Sequence, residues 1–292
     1  MEIKRFEFTD TLGWSVSRFD KFLTCKRQYF FDYYPKYDTE NPIEKLLFLK
    51  KLTSKPLETG NIIHDMVKDL LLRYQKSSKP LNIQKFFEYA KKMTLQYCNK
   101  TFYESYYGNE IVDPLEIFKK VTVILENLIE SQRFKWIQEN ALAQRKDWVI
   151  EPDGYGETRI DGQKAYCKVD FLFPVGDQIY ILDWKTGSKN KKHSKQLTGY
   201  SLWANYHFQK DVKDIKAIAV YLFPIYQESQ IEISQKDITD FAQQVKEETA
   251  LMHEYVADID KNIPKAKKAF APTPNKMCNY CNYRQICPEC MK

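Results

Sequence analysis

The spacing of apolar residues changes several times along the chain, and each change marks an element. Between Trp14 and Cys25, Phe19, Phe22 and Leu23 recur at helical spacing behind Ser15 or Ser17 as N-cap, so a short helix is predicted. Lys26 to Tyr34 continues as a second, aromatic-rich helix or turn that stops at Pro35. Residues 62–72 read as an amphipathic helix with a Thr59/Asn61 start, with His64 in its first turn above Val67 and Leu71. After the linker-like Ser77–Pro80, helical spacing returns over 83–107 and 114–140, where Phe118, Val121, Leu125, Leu128 and Ile129 share a face. The period then shortens to two. Strands are predicted at 148–151 and 166–170, feeding a hairpin whose arms, 169–173 and 179–185, flank the turn Pro174–Gln178. Gln196 to Phe208 reads as a helix, 215–223 as a strand buried on both faces, 228–234 as a short strand and 237–259 as a helix.

What sets the hairpin apart is charge among core-type side chains. Asp170 interrupts its first arm, and Asp183 and Lys185, two apart on the second, point to one face of a strand. A carboxylate in such company needs a partner, and a divalent cation is one such partner. Read alone, Asp183 and Lys185 are equally compatible with an ordinary strand-end ion pair and Asp170 with a turn residue. The following segment tips the balance. Lys189, Lys191, Lys192 and Lys195 make a cationic loop with Lys185, and Gln196 and Tyr200, four apart, fall on one helix face. Two carboxylates, a lysine, a basic loop and a polar helix face suit a metal site that handles phosphate.

The order Gly60-x3-His64, Asp170, Asp183-x-Lys185, Gln196-x3-Tyr200 resembles the RecB-like branch of the PD-(D/E)xK nucleases. The opening Ser15-x-Ser17-x-Phe19, followed by Cys25 and an aromatic run, looks like the start of the iron-sulfur members of that family, the AddB-type nuclease domain and the CRISPR-adaptation nuclease. So does the tail Cys278-x2-Cys281-x5-Cys287-Pro288.

Composition sets outer limits. The chain has 292 residues, 43% of them hydrophobic, and a formal net charge of +6, which permits a nucleic-acid partner without requiring one. No apolar run approaches the roughly 20 residues that span a bilayer. Met1 to Glu7 has no signal-peptide core, so the expected location is the cytoplasm. Twenty tyrosines and 18 phenylalanines supply surfaces on which unpaired bases could stack, although most belong to the core. Seven cysteines in such a chain point to metal or redox chemistry more than to disulfides. Cys98 and Cys167 read as isolated buried hydrophobes. The four tail cysteines, Cys290 included, could form a local zinc knuckle; alternatively Cys278, Cys281 and Cys287 join a distant fourth ligand, with Cys290 spare or a substitute.

The resemblance implies an α/β fold: a PD-(D/E)xK restriction-endonuclease-like core with a central mixed sheet flanked by helices, a helical insertion, and an iron-sulfur-stapled N- and C-terminal region. The matching divisions are an N-terminal helical segment at 1–58, a motif helix at 59–75, an insertion at 76–147, the nuclease core at 148–262 and a cysteine segment at 263–292. It implies a Mg- or Mn-dependent deoxyribonuclease, acting as an exonuclease on single-stranded or frayed DNA in repair, CRISPR adaptation or phage defence. His64, Asp170, Asp183 and the carbonyl of Trp184 would ligate the metal, and Lys185 would orient water or offset developing charge. Gln196, Tyr200, Lys189, Lys191 and Lys192 would hold DNA. Cys25, Cys278, Cys281 and Cys287 would hold a structural 4Fe-4S cluster that ties the chain ends together, with zinc as the other occupant. No Gly-x4-Gly-Lys-Ser/Thr motor motif occurs, so a helicase acting in trans is an expected partner. Two other classes share parts of this pattern. One is a nuclease-derived DNA-binding subunit in which cleavage is dispensable, ordinarily marked by a degraded metal set. The other is a zinc-tailed DNA-binding regulator whose hairpin carboxylates are structural.

Overall fold

The computed structural model describes residues 1–289. Helix α1 (Val16–Thr24) begins where Ser15 accepts a hydrogen bond from the Arg18 amide, and α2 (Lys26–Tyr33) follows after a break at Cys25. Next come α3 (Ile43–Lys50) and the long α4 (Lys55–Lys76). Helix α4 starts seven residues earlier than the apolar spacing predicts. Ser54 caps it, Pro56 sits in its first turn, and Thr59, the expected cap, turns its hydroxyl back to the Lys55 carbonyl instead. His64 therefore lies in the body of this helix.

The stretch 83–107 divides at Cys98 into α5 (Ile83–Tyr97) and α6 (Tyr103–Gly108). The stretch 114–140 divides at Ser131 into α7 (Pro114–Glu130) and α8 (Gln132–Asn140), because Ser131 turns extended and caps the second piece. Strand β1 (Val149–Ile150) is followed by β2 (Glu157–Ile160) and β3 (Gln163–Tyr166), a hairpin turned at Asp161-Gly162 with both φ positive. Of the two strands expected to feed the central hairpin, β1 joins its sheet, but the one expected at 166–170 lies instead at 163–166 as an arm of this second hairpin. The second hairpin forms its own two-stranded sheet, to which Trp14 adds through hydrogen bonds with Lys164 and Tyr166.

The central hairpin is β4 (Phe171–Val175) and β5 (Gln178–Lys185). Helix α9 (Lys191–Phe208) crosses to β6 (Ile215–Tyr221), which lies parallel to β5, and β7 (Gln227–Ile231) turns back antiparallel. The order β1-β4-β5-β6-β7 is thus a mixed five-stranded sheet flanked by helices. Ser234 ends the last strand early because it caps α10 (Gln235–His253) through a capping box with Asp237. That helix stops short of 259, and β8 (Val256–Asp258) pairs with β9 (Ile263–Pro264).

Two apolar cores lie on the two faces of the sheet. Ile179 and Ile181 of β5 and Ala217 and Ala219 of β6 face α9, α10 and the N-terminal helices. Leu182, Trp184, Ile218 and Val220 face α4, α5 and α7. The period of two therefore sends Asp183 and Lys185 to the α9 side at the end of β5. No helix among the described residues is long and apolar enough to cross a membrane.

The C-terminal segment packs against the N-terminal helices. Phe270 and Tyr283 are fully buried, the Arg27 Nε donates to the Phe270 carbonyl (2.9 Å), and the Asn275 Nδ2 donates to the Thr24 carbonyl (3.1 Å). The Tyr283 hydroxyl donates to buried Asp32 (2.6 Å), which Lys21 also pairs. Helix α6 takes part: Tyr103 and Tyr107 donate to the carbonyls of Asn279 (2.6 Å) and Asn282 (2.7 Å).

Candidate active site

The site stands where β5 ends. Asp183 is 1% exposed, and on the same face of the strand Lys185 reaches back so that its Nζ lies 2.6 Å from Asp183 Oδ2. The ammonium gives that oxygen a countercharge but no aligned hydrogen bond, so Asp183 Oδ2 is buried without a donor. Asp170, one residue before β4, accepts at Oδ2 from the Trp184 amide (2.9 Å). On the far face α4 passes close enough for a Cβ on Gly60 to lie 3.5 Å from the Thr186 hydroxyl. That passage brings His64 Nδ1 to 3.5 Å from Asp170 Oδ2. Lys185 Nζ also donates to Gln196 Oε1 (2.8 Å), whose amide donates to the Tyr200 hydroxyl (2.5 Å). Asp183, Lys185, Gln196 and Tyr200 therefore form one continuous polar chain from β5 to α9.

Burial governs the electrostatics. It pushes the Asp170 carboxyl up to about 6 against the pull of Lys185 and the Trp184 amide. It pushes Asp183 up to about 7, with the charge of Asp170 adding and Lys185 opposing. Burial lowers His64, favouring the neutral imidazole, which is the ligating form. Among the described residues no group of three or more His, Cys, Asp or Glu side chains is closed around one point as around a bound ion, and Lys185 is the cation that lies against Asp183. The donor chemistry nevertheless suits a hard divalent ion. Two carboxylates disfavoured by burial and by each other, an orphaned carboxylate oxygen and a neutral imidazole are what such a cation stabilises.

The site opens into a cavity of about 850 Å³ between the sheet end, α9 and the N-terminal helices. Asp170, Lys185, Gln196, Tyr200 and Lys192 line it, whereas Lys189 and Lys191 stand exposed outside its lining. Lys192 pairs with Asp20 across the cavity (2.9 Å), and Lys195 is drawn away to buried Glu248 (2.6 Å).

Sequence reasoning missed several neighbours. Glu151 sits past β1 with φ +42, its amide donates to the Asp170 carbonyl, and Lys168 (2.8 Å) and Lys68 (3.3 Å) bracket its carboxylate. Burial opposes its ionisation, but the two lysines outweigh that and hold it below the usual carboxylate range. The available signal was Lys68 standing one helical turn beyond His64. His193, whose Nδ1 lies 2.8 Å from the Tyr221 hydroxyl, is pulled down to about 4 by burial and Lys185.

A second cluster lies elsewhere. Cys25, Cys278, Cys281 and Cys287 line one small pocket with Arg27 and Phe31. Burial pushes the Cys281 thiol up to about 11, with the other three sulfurs adding. Cys290 lies outside the described residues. Cys167 is buried, as its setting predicts, but Cys98 is only half-buried at the end of α5.

A mixed sheet that ends in two carboxylates and a lysine, opening into a cationic cavity, has the form of a hydrolytic site for a phosphate-bearing substrate. The sequence model of the PD-(D/E)XK nuclease superfamily matches residues 13–288, and the chain belongs to that superfamily. Membership implies a nuclease, a hydrolase, and proteins of this superfamily typically use Mg or Mn. A solved structure titled "Crystal structure of SSO0001" is 18% identical, covering 65% of this chain and 80% of that one, with a TM-score of 0.30. No curated protein sequence matches the chain.

Proposed function

We propose that this protein is a Mg- or Mn-dependent deoxyribonuclease of the RecB-like kind, hydrolysing phosphodiester bonds in single-stranded or frayed DNA. The observation that supports it best is that His64 of α4, Asp170 just before β4, and Asp183 and Lys185 of β5 meet at one end of the sheet. Asp170, Asp183 and His64 would hold the cation, with the Trp184 carbonyl as a further ligand. When bound, the ion supplies a water of lowered pKa and charge neutralisation at phosphate. Lys185, fixed between Asp183 and Gln196, orients the attacking water and offsets charge building on the phosphate oxygens. Gln196 and Tyr200 position the scissile phosphate, and Lys192 and Lys168 draw the backbone into the cavity. Duplex substrates enter from frayed ends or after opening by a partner helicase.

End-labelled oligonucleotides with Mn or Mg test this reading. Asp183→Ala and Lys185→Ala are expected to lower cleavage by about 100-fold or more with folding retained. Full activity in either purified variant removes the assignment.

The cysteine pocket is read as a 4Fe-4S site held by Cys25, Cys278, Cys281 and Cys287. Support comes from the four sulfurs lining one pocket and from the soft, all-thiolate donor set. Zinc is the alternative occupant. Iron and acid-labile sulfide in anaerobically purified protein, lost in Cys281→Ser, are the expected result; zinc without iron overturns it. Tyr283, Asn275 and Arg27 dock the two chain ends around this pocket alongside the proposed cluster.

A further inference from the structure

The lining of the cavity carries a feature that the hydrolytic machinery does not use. Residues Gly154, Tyr155 and Gly156 all have positive φ, at +69, +59 and +65. Glycine adopts that conformation freely, but a tyrosine does so under strain. The turn is held in place by the chain behind it. A Cβ on Gly156 would stand 2.4 Å from the Cys167 carbonyl oxygen, and the Cys167 amide donates to the Gly156 carbonyl. The strained backbone holds out an aromatic ring that is 74% exposed yet belongs to the cavity lining. Among the described residues its one ring neighbour is Tyr166, met edge-on at 6.4 Å, which leaves its faces open.

The cavity lining is net positive, with Lys168, Lys185 and Lys192 also engaged by Glu151, Asp183 and Asp20. Cations outnumber carboxylates five to two on the cavity lining, with Lys168 and Lys185 on the sheet side and Arg18 and Lys50 on the helices across from it. Cations on both walls follow a phosphate backbone, and an exposed ring at the rim offers a flat surface to the base attached to it. The other lining tyrosines are less suited. The ring of Tyr33 is flanked by Tyr29 at 4.8 Å and by the Arg18 guanidinium at 4.2 Å, and Tyr200 is buried.

We infer that Tyr155 is a base-stacking platform, taking one unpaired base of a strand whose phosphates run between Lys168 and Lys185 on one wall and Arg18 and Lys50 on the other. The inference rests on the nuclease reading of this cavity and makes Tyr155 a positioning residue that favours unpaired bases, since in a duplex both faces of each base are already stacked.

The test is fluorescence anisotropy without divalent ions, using labelled oligothymidylate of about twelve nucleotides and an abasic strand of equal length. Tyr155→Gly removes the ring and suits the positive φ, so it is expected to melt no lower than wild type. It is expected to bind oligothymidylate about tenfold more weakly while its affinity for the abasic strand changes less than twofold. Tyr155→Trp is expected to restore the preference for bases. Equal losses on both strands, or no loss on either, overturn the platform. Wild-type protein that shows the base-dependent binding but no cleavage with Mn removes the nuclease reading and leaves the platform standing. Cleaving protein whose Tyr155→Gly variant binds oligothymidylate normally does the reverse.

Discussion

The sheet end and the cysteine pocket both gather ligand-type side chains from distant parts of the chain, but opposite forces hold them. At the sheet end, strand pairing and two apolar cores force Asp170 and Asp183 together against their own electrostatics, and burial pushes both carboxyls upward. At the cysteine pocket burial favours the protonated, neutral thiol of Cys281, and the docking is done by Tyr283, Asn275, Arg27 and the tyrosines of α6. The first region is destabilised by the groups that would do its chemistry. The second is stable around them. Carboxylates are thus gathered at the expense of the fold, whereas thiols can be gathered by ordinary turns and hydrogen bonds.

The comparison breaks most readily at Tyr283. Tyr283→Ala empties a fully buried ring and strips Asp32 of a hydrogen bond, so a loss of about 3–5 kcal/mol in urea unfolding is expected. A loss under about 1 kcal/mol would mean that the tail is held by something other than its aromatic docking.

A smaller effect, of opposite sign, is expected at the sheet end. Because the folded pKa of Asp183 lies above its unfolded value near 3.8, the fold favours its protonated form. Stability from this group is present below about pH 4 and is lost as pH rises through about 7. Asp183→Asn, neutral throughout, is therefore expected to melt higher than metal-free wild type at pH 8, with the gap closing toward pH 4. A variant that melts lower at pH 8 would show that the Lys185 contact outweighs the burial of the carboxylate.

The smallest effect is expected at Cys278, half-buried in a short turn. In metal-free protein Cys278→Ser is expected to change stability by less than about 1 kcal/mol. A loss as large as that of Tyr283→Ala would erase the contrast between the two regions.

Much of this architecture is legible in the amino-acid order. Alternation over 169–185 predicts the hairpin and the shared face of Asp183 and Lys185, and the four-residue step from Gln196 to Tyr200 predicts a pair that the structure places in hydrogen-bond contact. These are local periodicities, set by the geometry of a strand or a helix turn. Capping chemistry was harder to read. Ser54 took the start of α4 from Thr59, and Ser131 divided one apparent helix into two, because a short polar side chain competes for backbone donors wherever the chain turns.

What the sequence alone determined is the set of elements and the face on which each candidate ligand lies. Only the tertiary structure decided that α4 crosses the end of the sheet so that His64 meets Asp170, that β2 and β3 leave the central sheet to hold Tyr155 at the cavity, and that Lys68 and Lys168 bracket Glu151. Those meetings depend on how two apolar cores pack across one sheet, and that long-range packing leaves no periodic mark in the sequence around any one residue.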